Sequence, residues 1–288
     1  MKEQRFFYNP SPETGQLPTD EAQHALRVLR LGMGEELFLM DGCGTFHRAV
    51  ITEADNHHCR YRILESMPQQ PEWTGTIHLA VAPTKNMDRM EWLAEKATEI
   101  GFDRLSLLDC RFSERHVVKT ERLDKILVAA MKQSRKAWKP QLDEMTPFQR
   151  FITRPDLPAH RFIAHCSPPA DIALTVPQGS LTVPEGPVTV PEGFVTVPEG
   201  SPEGQNPFTV PEGSPEGQKP FLLDLLSPCT PALVLIGPEG DFSIDEVRAA
   251  EAAGFRSVSL GTSRLRTETA ALVAVHLMRL SNCSPANR

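Results

Sequence analysis

Residues 232–281 restrict the folds open to this chain more than any other stretch, because they read strand, glycine turn, helix, strand, glycine turn, helix. Ala232 to Ile236 is a continuous apolar run with turn residues on either side, the pattern of a strand buried on both faces. Gly237-Pro238-Glu239-Gly240 stops it. Ser243 can cap the helix that follows, and Glu246, three residues on, can close a capping box. Ile244, Val247 and Ala250 form the inward stripe of that helix, which Gly254 ends. A second strand, Ser257 to Leu260, runs into Gly261 and the basic turn Arg264-Leu265-Arg266. Thr267 or Thr269 then starts a last helix with Ala271, Leu272, Val275 and Met278 inward. This alternation belongs to a parallel α/β sheet, whose ligands sit outside the carboxyl ends of the strands.

The two glycine turns are the places to look for chemistry. Both put glycine where backbone must approach a ligand, and both lead into helices whose free N–H groups favour an anionic or carbonyl-bearing group. A glycine after one strand need do no more than turn the chain. Two such turns, the second carrying Arg264-Leu265-Arg266-Thr267-Glu268-Thr269, favour a site. Neither is a dinucleotide fingerprint or a Walker loop, so a dinucleotide or nucleoside triphosphate is not indicated.

Upstream, residues 1–72 read as a small β-rich module with strands at Arg5 to Asn9, Glu36 to Met40, Thr45 to Thr52 and His58 to Leu64. One helix, from Thr19 or Asp20 to Leu31, carries His24, Arg27 and Arg30 at three-residue spacing and so on one face, ordinarily a solvated one. His57-His58 lacks a third ligand at useful spacing, so no metal is expected. The second domain, 73–288, opens with a strand from Trp73 to Ala82. A helix from Met87 to Ile100, a strand from Asp103 to Asp109 and a helix from about Glu121 to Trp138 follow. That third helix buries Leu123, Leu127, Ala130 and Met131 and is expected to show Lys132, Arg135, Lys136 and Lys139 outside. Arg161 to His165 is one more strand, with Cys166 and Ser167 beginning a third loop at the ligand edge.

Between Asp171 and Pro220, a Thr-Val-Pro-Glu-Gly unit recurs every seven residues among ten prolines. Proline and glycine in every copy exclude a coiled coil, and few large apolar groups repay ordering, so a disordered, polyproline-leaning insert is expected at 171–220. It carries seven acids and one lysine, most of the net charge of −7. Arg111 to Lys139, by contrast, holds nine Lys/Arg against three Asp/Glu, and a local excess is what captures phosphates. The six cysteines form no C-x-x-C pair, no apolar run approaches the ~18 residues of a membrane span, and the start lacks an apolar leader; a cytoplasmic protein is expected.

Ile236-Gly237-Pro238-Glu239-Gly240 and Leu260-Gly261-x-x-Arg264-Leu265-Arg266-Thr267-Glu268-Thr269-Ala270 resemble the carboxyl-terminal signature of SPOUT-class RNA methyltransferases. Within that class the chain is most similar to the 16S ribosomal RNA uridine-N3 methyltransferase family. Asp88-Arg89-Met90-Glu91-Trp92, Lys96 to Gly101 and Gln133-Ser134-Arg135 continue the match, and Asp241 departs from it where the family usually has a second glycine. The resemblance implies an α/β SPOUT domain with a trefoil knot, an N-terminal PUA-like β-barrel that contacts RNA, a homodimer, and methylation of N3 of a uridine in 16S ribosomal RNA from S-adenosyl-L-methionine. By position in the motif, Ile236, Gly237, Glu239, Gly240, Leu260, Gly261, Leu265, Thr267 and Thr269 would line the cofactor. Arg266 would stabilise charge and Glu268 would be a candidate base, although a carboxylate one turn into a helix is more often a capping or dipole partner. Arg27, Arg30, Arg89, Arg111, Arg115, Arg135 and Lys136 are the candidates for RNA phosphates. Ribose 2′-O or guanine N1 methylation on the same scaffold, and a non-catalytic ribosome-assembly factor, are the alternatives.

Overall fold

Period-two alternation shapes the amino-terminal part. The structure, a computed structural model, describes residues 5–55, 58–166 and 219–282; the repeat insert at 171–220 therefore lies outside the described residues, apart from Lys219 and Pro220. Strands β1 (Phe6–Tyr8), β2 (Glu36–Met40), β3 (Thr45–Ala54) and β4 (Cys59–Pro68) form one sheet in that order. β1 runs parallel to β2 and the other pairs are antiparallel. Phe7, Leu37, Leu39, Ala49 and Ile51 turn inward and meet Ala22 and Ala25 of the intervening helix.

That helix is not the single run to Leu31 that its periodicity predicts. α1 (Thr19–Gln23) passes into a π-helical turn over His24–Val28, and Arg30 stands beyond it in the left-handed region at φ 55°. The Leu31 N–H reaches back to the Ala25 carbonyl at 3.0 Å while its side chain enters the core, which closes the helix three residues early, at Val28. The wider turn also breaks the three-residue spacing. His24 and Arg27 are exposed, and Arg30 is not on their helical face.

The second sheet is parallel throughout. Its elements are β5 (Ile77–Val81), α2 (Met87–Ile100), β6 (Arg104–Asp109), α3 (Thr120–Ser134), β7 (Gln141–Leu142), β8 (Thr146–Pro147), α4 (Phe148–Ile152), β9 (His160–Ala164), α5 (Leu222–Leu225), β10 (Ala232–Ile236), α6 (Ile244–Ala252), β11 (Arg256–Val258) and α7 (Thr267–Ser281). Strand order is β11-β9-β10-β5-β6-β7, with β8 also on β6. Ala232, Val234 and Ile236 of β10 face a core shared with α2, α3 and α7, while Leu233 and Leu235 face Phe148, Val247 and Ala250 of α4 and α6. Burial on both sides is why β10 reads as an unbroken apolar run. After β11 at the sheet edge, Ser259 pairs with residues 220–222, and the chain returns to pack α7 against β5, β10 and α2.

Ser243 and Glu246 make the expected capping box at the start of α6. Ile244, expected inward, is 41 % exposed; as the first helical residue it points past the sheet, and Phe242, just before the cap, packs into the core with Val247 instead. Strand β5 starts at Ile77, not Trp73, because the Trp73 ring is held under the Arg279 guanidinium, 4.7 Å from the ring centroid. β11 stops at Val258, short of the expected Leu260.

The largest departure is at α3, which ends at Ser134 rather than Trp138, with Arg135 left-handed at φ 55°. The chain beyond it joins the two sheets. Gly44 N–H bonds the Ala137 carbonyl at 3.0 Å and Lys139 N–H bonds that of Gly42 at 2.9 Å. A Cβ on Gly44 would lie 2.6 Å from the Trp138 ring, so only glycine fits there. Lys132 pairs with Glu21, Lys139 with Asp124, and the Lys136 side chain, 11 % exposed, pairs with Glu72 at 3.0 Å. The basic face expected for solvent is thus largely spent on this junction.

Near the opposite end of the second sheet, His78 is buried, its Nε2 2.8 Å from Ser106 Oγ, and Ser106 in turn donates to Asp143. Burial, reinforced by Arg104, pushes its pKa down from 6.5 to about 3. Between those values the unfolded chain binds a proton that the native protein does not, so stability falls as pH drops from 6.5 towards 3. Denaturant titrations should therefore show His78→Gln with a shallower acid loss than the parent. Equal slopes would place the acid sensitivity elsewhere.

Candidate active site

A parallel sheet brings the carboxyl ends of β5, β6, β9, β10 and β11 to one edge, and cross-bonds fasten the loops that leave them. Glu239, in the turn after β10, accepts from the Lys85 N–H after β5 at 3.3 Å and from Arg89 Nη1 of α2 at 3.5 Å. Arg115, after β6, donates to the Lys85 carbonyl at 2.9 Å. Glu246 has a bond beyond its capping box: Oε1 accepts from the Arg111 N–H at 2.8 Å, tying the β6 loop to α6. Asp241 settles in the left-handed region at φ 67°, a conformation suited to glycine and tolerated by aspartate. Its carboxylate accepts from Phe242 N–H and from Cys166 N–H, each at 2.8 Å, so the departure from the family pattern joins the β9 and β10 loops. Lys219 then donates to both the carbonyl and Nδ1 of His165. Burial and that ammonium push the His165 imidazole down to about 4, leaving it neutral at pH 7.

The three glycines of the motif differ in what they leave room for. A Cβ at Gly237 would come 3.1 Å from Phe242, and one at Gly240 3.3 Å from Phe112 Cβ, so both are accounted for by neighbours within the protein. Gly261 is different: φ is +124° and nothing lies within 4 Å of a Cβ built there. The Ser259 hydroxyl accepts its N–H and donates to its carbonyl, which shapes an exposed turn around open space. Leu260 packs on the core, Leu265 is half-buried, Thr267 is buried in the first turn of α7, and Thr269 is exposed.

Arg266 is the N-cap of α7, exposed, with no side-chain capping bond. Among the described residues neither it nor Arg264 has an ion-pair partner, which leaves two guanidinium groups facing out from one turn. Glu268, one residue into α7, has a side chain only 9 % exposed; Oε1 lies 3.8 Å from Arg89 Nε and the buried Oε2 has no hydrogen-bond partner. An orphaned buried carboxylate oxygen in the first turn of α7 suits a ligand that brings a positive charge or an N–H donor. Arg89, expected on RNA, is placed between Glu239 and Glu268, where it bridges the two glycine turns.

Of the other phosphate candidates, Arg111 is exposed and paired with Asp245 at 3.1 Å, and Arg115 is half-buried. Arg135 is exposed over the Phe6 ring at 5.5 Å, and Lys136 belongs to the junction. Lys85 and Phe112 escaped the sequence reading, and the bonds of Glu239 and Glu246 across more than a hundred residues carry no local signal. The one clue to Phe112 was an apolar residue set between Arg111 and Ser113 in a strand-end loop. If Arg89 aligns the turns, Arg89→Gln should weaken cofactor affinity by about three- to tenfold, the scale of one net hydrogen bond. Calorimetry would measure it; unchanged affinity with weakened RNA binding would return Arg89 to the RNA surface. Among the described residues no group of side chains could hold a metal, and no helix is long and apolar enough to cross a membrane.

Comparison with known proteins agrees with this arrangement. A family model for the RNA methyltransferase domain matches residues 71–193 and 207–279, and one for the RNA methyltransferase PUA domain matches 17–64. "Ribosomal RNA small subunit methyltransferase E" of Rickettsia conorii is 23 % identical over 274 residues, covering 93 % of this chain and 91 % of the relative. A probable rRNA-methyltransferase from Porphyromonas gingivalis is 37 % identical with a TM-score of 0.73, covering 96 % of this chain and 98 % of that one. The small subunit methyltransferase E of Neisseria gonorrhoeae, solved bound to S-adenosyl methionine, has the same fold at 22 % identity and a TM-score of 0.65, over 96 % and 98 % of the two chains. With its parallel sheet, its tied strand-end loops and an amino-terminal PUA-type module, this chain belongs to the RNA methyltransferase family.

Proposed function

We propose that the protein methylates N3 of a uridine in 16S ribosomal RNA, using S-adenosyl-L-methionine held at the two glycine turns. The observation that carries this reading is the open turn at Gly261, followed within one turn of α7 by the unpaired Arg266 and the orphaned Glu268 carboxylate oxygen. The curated relatives are named as small-subunit ribosomal RNA methyltransferases, which supports the choice of RNA. Bound there, the cofactor would supply an electrophilic methyl group. Ile236, Gly237, Glu239 and Gly240 from one turn, with Leu260, Gly261, Leu265, Thr267 and Thr269 from the other, would hold it.

Uracil N3 carries a proton and is a poor nucleophile until it loses it. Arg266 would then stabilise the negative charge spreading onto O2 and O4, since its planar fork matches a developing oxyanion. Glu268, whose Oε1 lies 3.8 Å from Arg89 Nε, would be the carboxylate that takes the proton. Positioning of the base supplies much of the remaining acceleration.

Residues 1–72, the PUA-like part of this proposal, would contact RNA through Arg27 and Arg30, and the catalytic edge through Arg111 and Arg115, with the exposed Arg135 over Phe6 as a further contact. A homodimer in the cytoplasm, and a last segment threaded through a loop as a trefoil knot, complete the reading. Labelled methyl transfer tests it: small subunits from a strain lacking the gene should accept label while large subunits do not. RNA binding without any transfer would make the protein an assembly factor.

A further inference from the structure

A nucleobase whose ring nitrogen is to be methylated cannot be reached while that nitrogen is paired, so the base must leave its stack and find another surface. We infer that Phe112 is that surface: it stacks the unpaired pyrimidine of the RNA substrate in the cavity beside the Glu239-Gly240 turn. This rests on the uridine reading above and adds a residue that the motif does not contain.

Three observations carry it. First, an open cavity of about 650 Å³ at the carboxyl edge of the sheet is lined by Phe112, Ser113, Glu114, His116, Glu239 and Gly240, so it adjoins one of the two glycine turns. Its volume lies within the roughly 300–1,000 Å³ of small-molecule sites. Second, among the described residues Phe112 and Trp92 are the exposed aromatic side chains, and Phe112, 49 % exposed, is the one that lines this cavity. An aromatic ring left half in water in a loop so heavily cross-bonded is held there at a hydrophobic cost. A Cβ built on Gly240 would meet Phe112 at Cβ and Cγ, 3.3 and 3.9 Å away, so the turn lies against the base of the side chain.

Third, the surroundings suit a nucleotide more than an apolar peptide. The Arg111 guanidinium lies 5.7 Å from the ring centroid, and its backbone is held by Glu246. Lys85, exposed and 3.6 Å from Glu114, and Arg115 stand on the loops that border the cavity. One cation over an aromatic ring, with others on the neighbouring loops, is a combination that takes a base and a phosphate together, and stacking of this kind tolerates any base because each has a π-face.

The test compares Phe112→Ala, Phe112→Leu, Phe112→Tyr and Phe112→Trp in methyl transfer to undermethylated small subunits, with calorimetry of S-adenosylhomocysteine on each. Leucine keeps the Cβ and Cγ that lie against the Gly240 turn but has no π-face. The expected result is a ten- to hundredfold loss of turnover in both the alanine and leucine variants, recovery to within about threefold in tyrosine and tryptophan, and cofactor affinity within twofold throughout. Full activity in the leucine variant would reduce Phe112 to packing and overturn the inference. A parallel fall in cofactor affinity would make it a support of the Gly240 turn, which overturns it equally. Mapping the methylated nucleoside from the parent reaction keeps the two claims apart: label in a base other than uridine contradicts the function with the aromatic series still decisive for stacking, whereas N3-methyluridine with an active alanine variant contradicts stacking alone.

Discussion

Arg266→Ala is expected to lower turnover by about 10²–10³-fold, the scale of removing one oxyanion donor, while leaving cofactor affinity nearly unchanged. The reasoning begins with its position. Arg266 precedes the first turn of α7, exposed and unpaired among the described residues, so in the resting protein its charge is not committed to any carboxylate. A group free in the ground state and engaged only as charge develops on O2 and O4 affects turnover rather than binding. Arg266→Lys should recover little, because a point charge on a flexible stem lacks the planar fork. Single-turnover kinetics with calorimetry separates the two effects. Equal losses in affinity and rate would make Arg266 a binding residue.

Gly261→Val should abolish cofactor binding in a folded protein, a loss of more than about a hundredfold in affinity, by two routes. The side chain would enter the space that is empty around this residue, and a β-branched residue at φ +124° is strained by about 1–3 kcal/mol, so the turn would also change shape. The turn is exposed and outside the cores, which is why the fold should survive. Ser259→Ala is the control: it removes the hydroxyl that holds both the Gly261 N–H and carbonyl without filling the space, and should cost less than tenfold. Valine at 261 with affinity within threefold of the parent would remove this turn from the site.

The elements that flank these two residues are legible in the sequence, and the reason is physical. A strand buried on both faces must be an apolar run, and a helix leaving it must have its N–H groups capped, so β10, the Ser243–Glu246 box and the start of α7 are written locally. β2 and α2 likewise keep the bounds that their local patterns predict. What the sequence could not disclose was set by partners far along the chain. α3 continues in its helical pattern to Trp138, yet stops at Ser134 because the amino-terminal sheet takes hold of Ala137 and Lys139. Lys136 looks like a surface cation until Glu72 and the Trp73 ring, 5.7 Å away, are beside it. Arg89 shows the same limit in the site itself: its spacing gives a helix face, and only the fold brings that face to Glu239 and Glu268. The glycines teach the converse. Three look alike in sequence, and only Gly261 is left facing open space.

The central claim is the atom that receives the methyl group. Small subunits from a strain lacking the gene, methylated with labelled S-adenosylmethionine, digested to nucleosides and resolved by chromatography, report it directly. Label is expected in N3-methyluridine from one position of 16S ribosomal RNA, falling steeply with Arg266→Ala. Label in a 2′-O-methyl nucleoside or in N1-methylguanosine would contradict it.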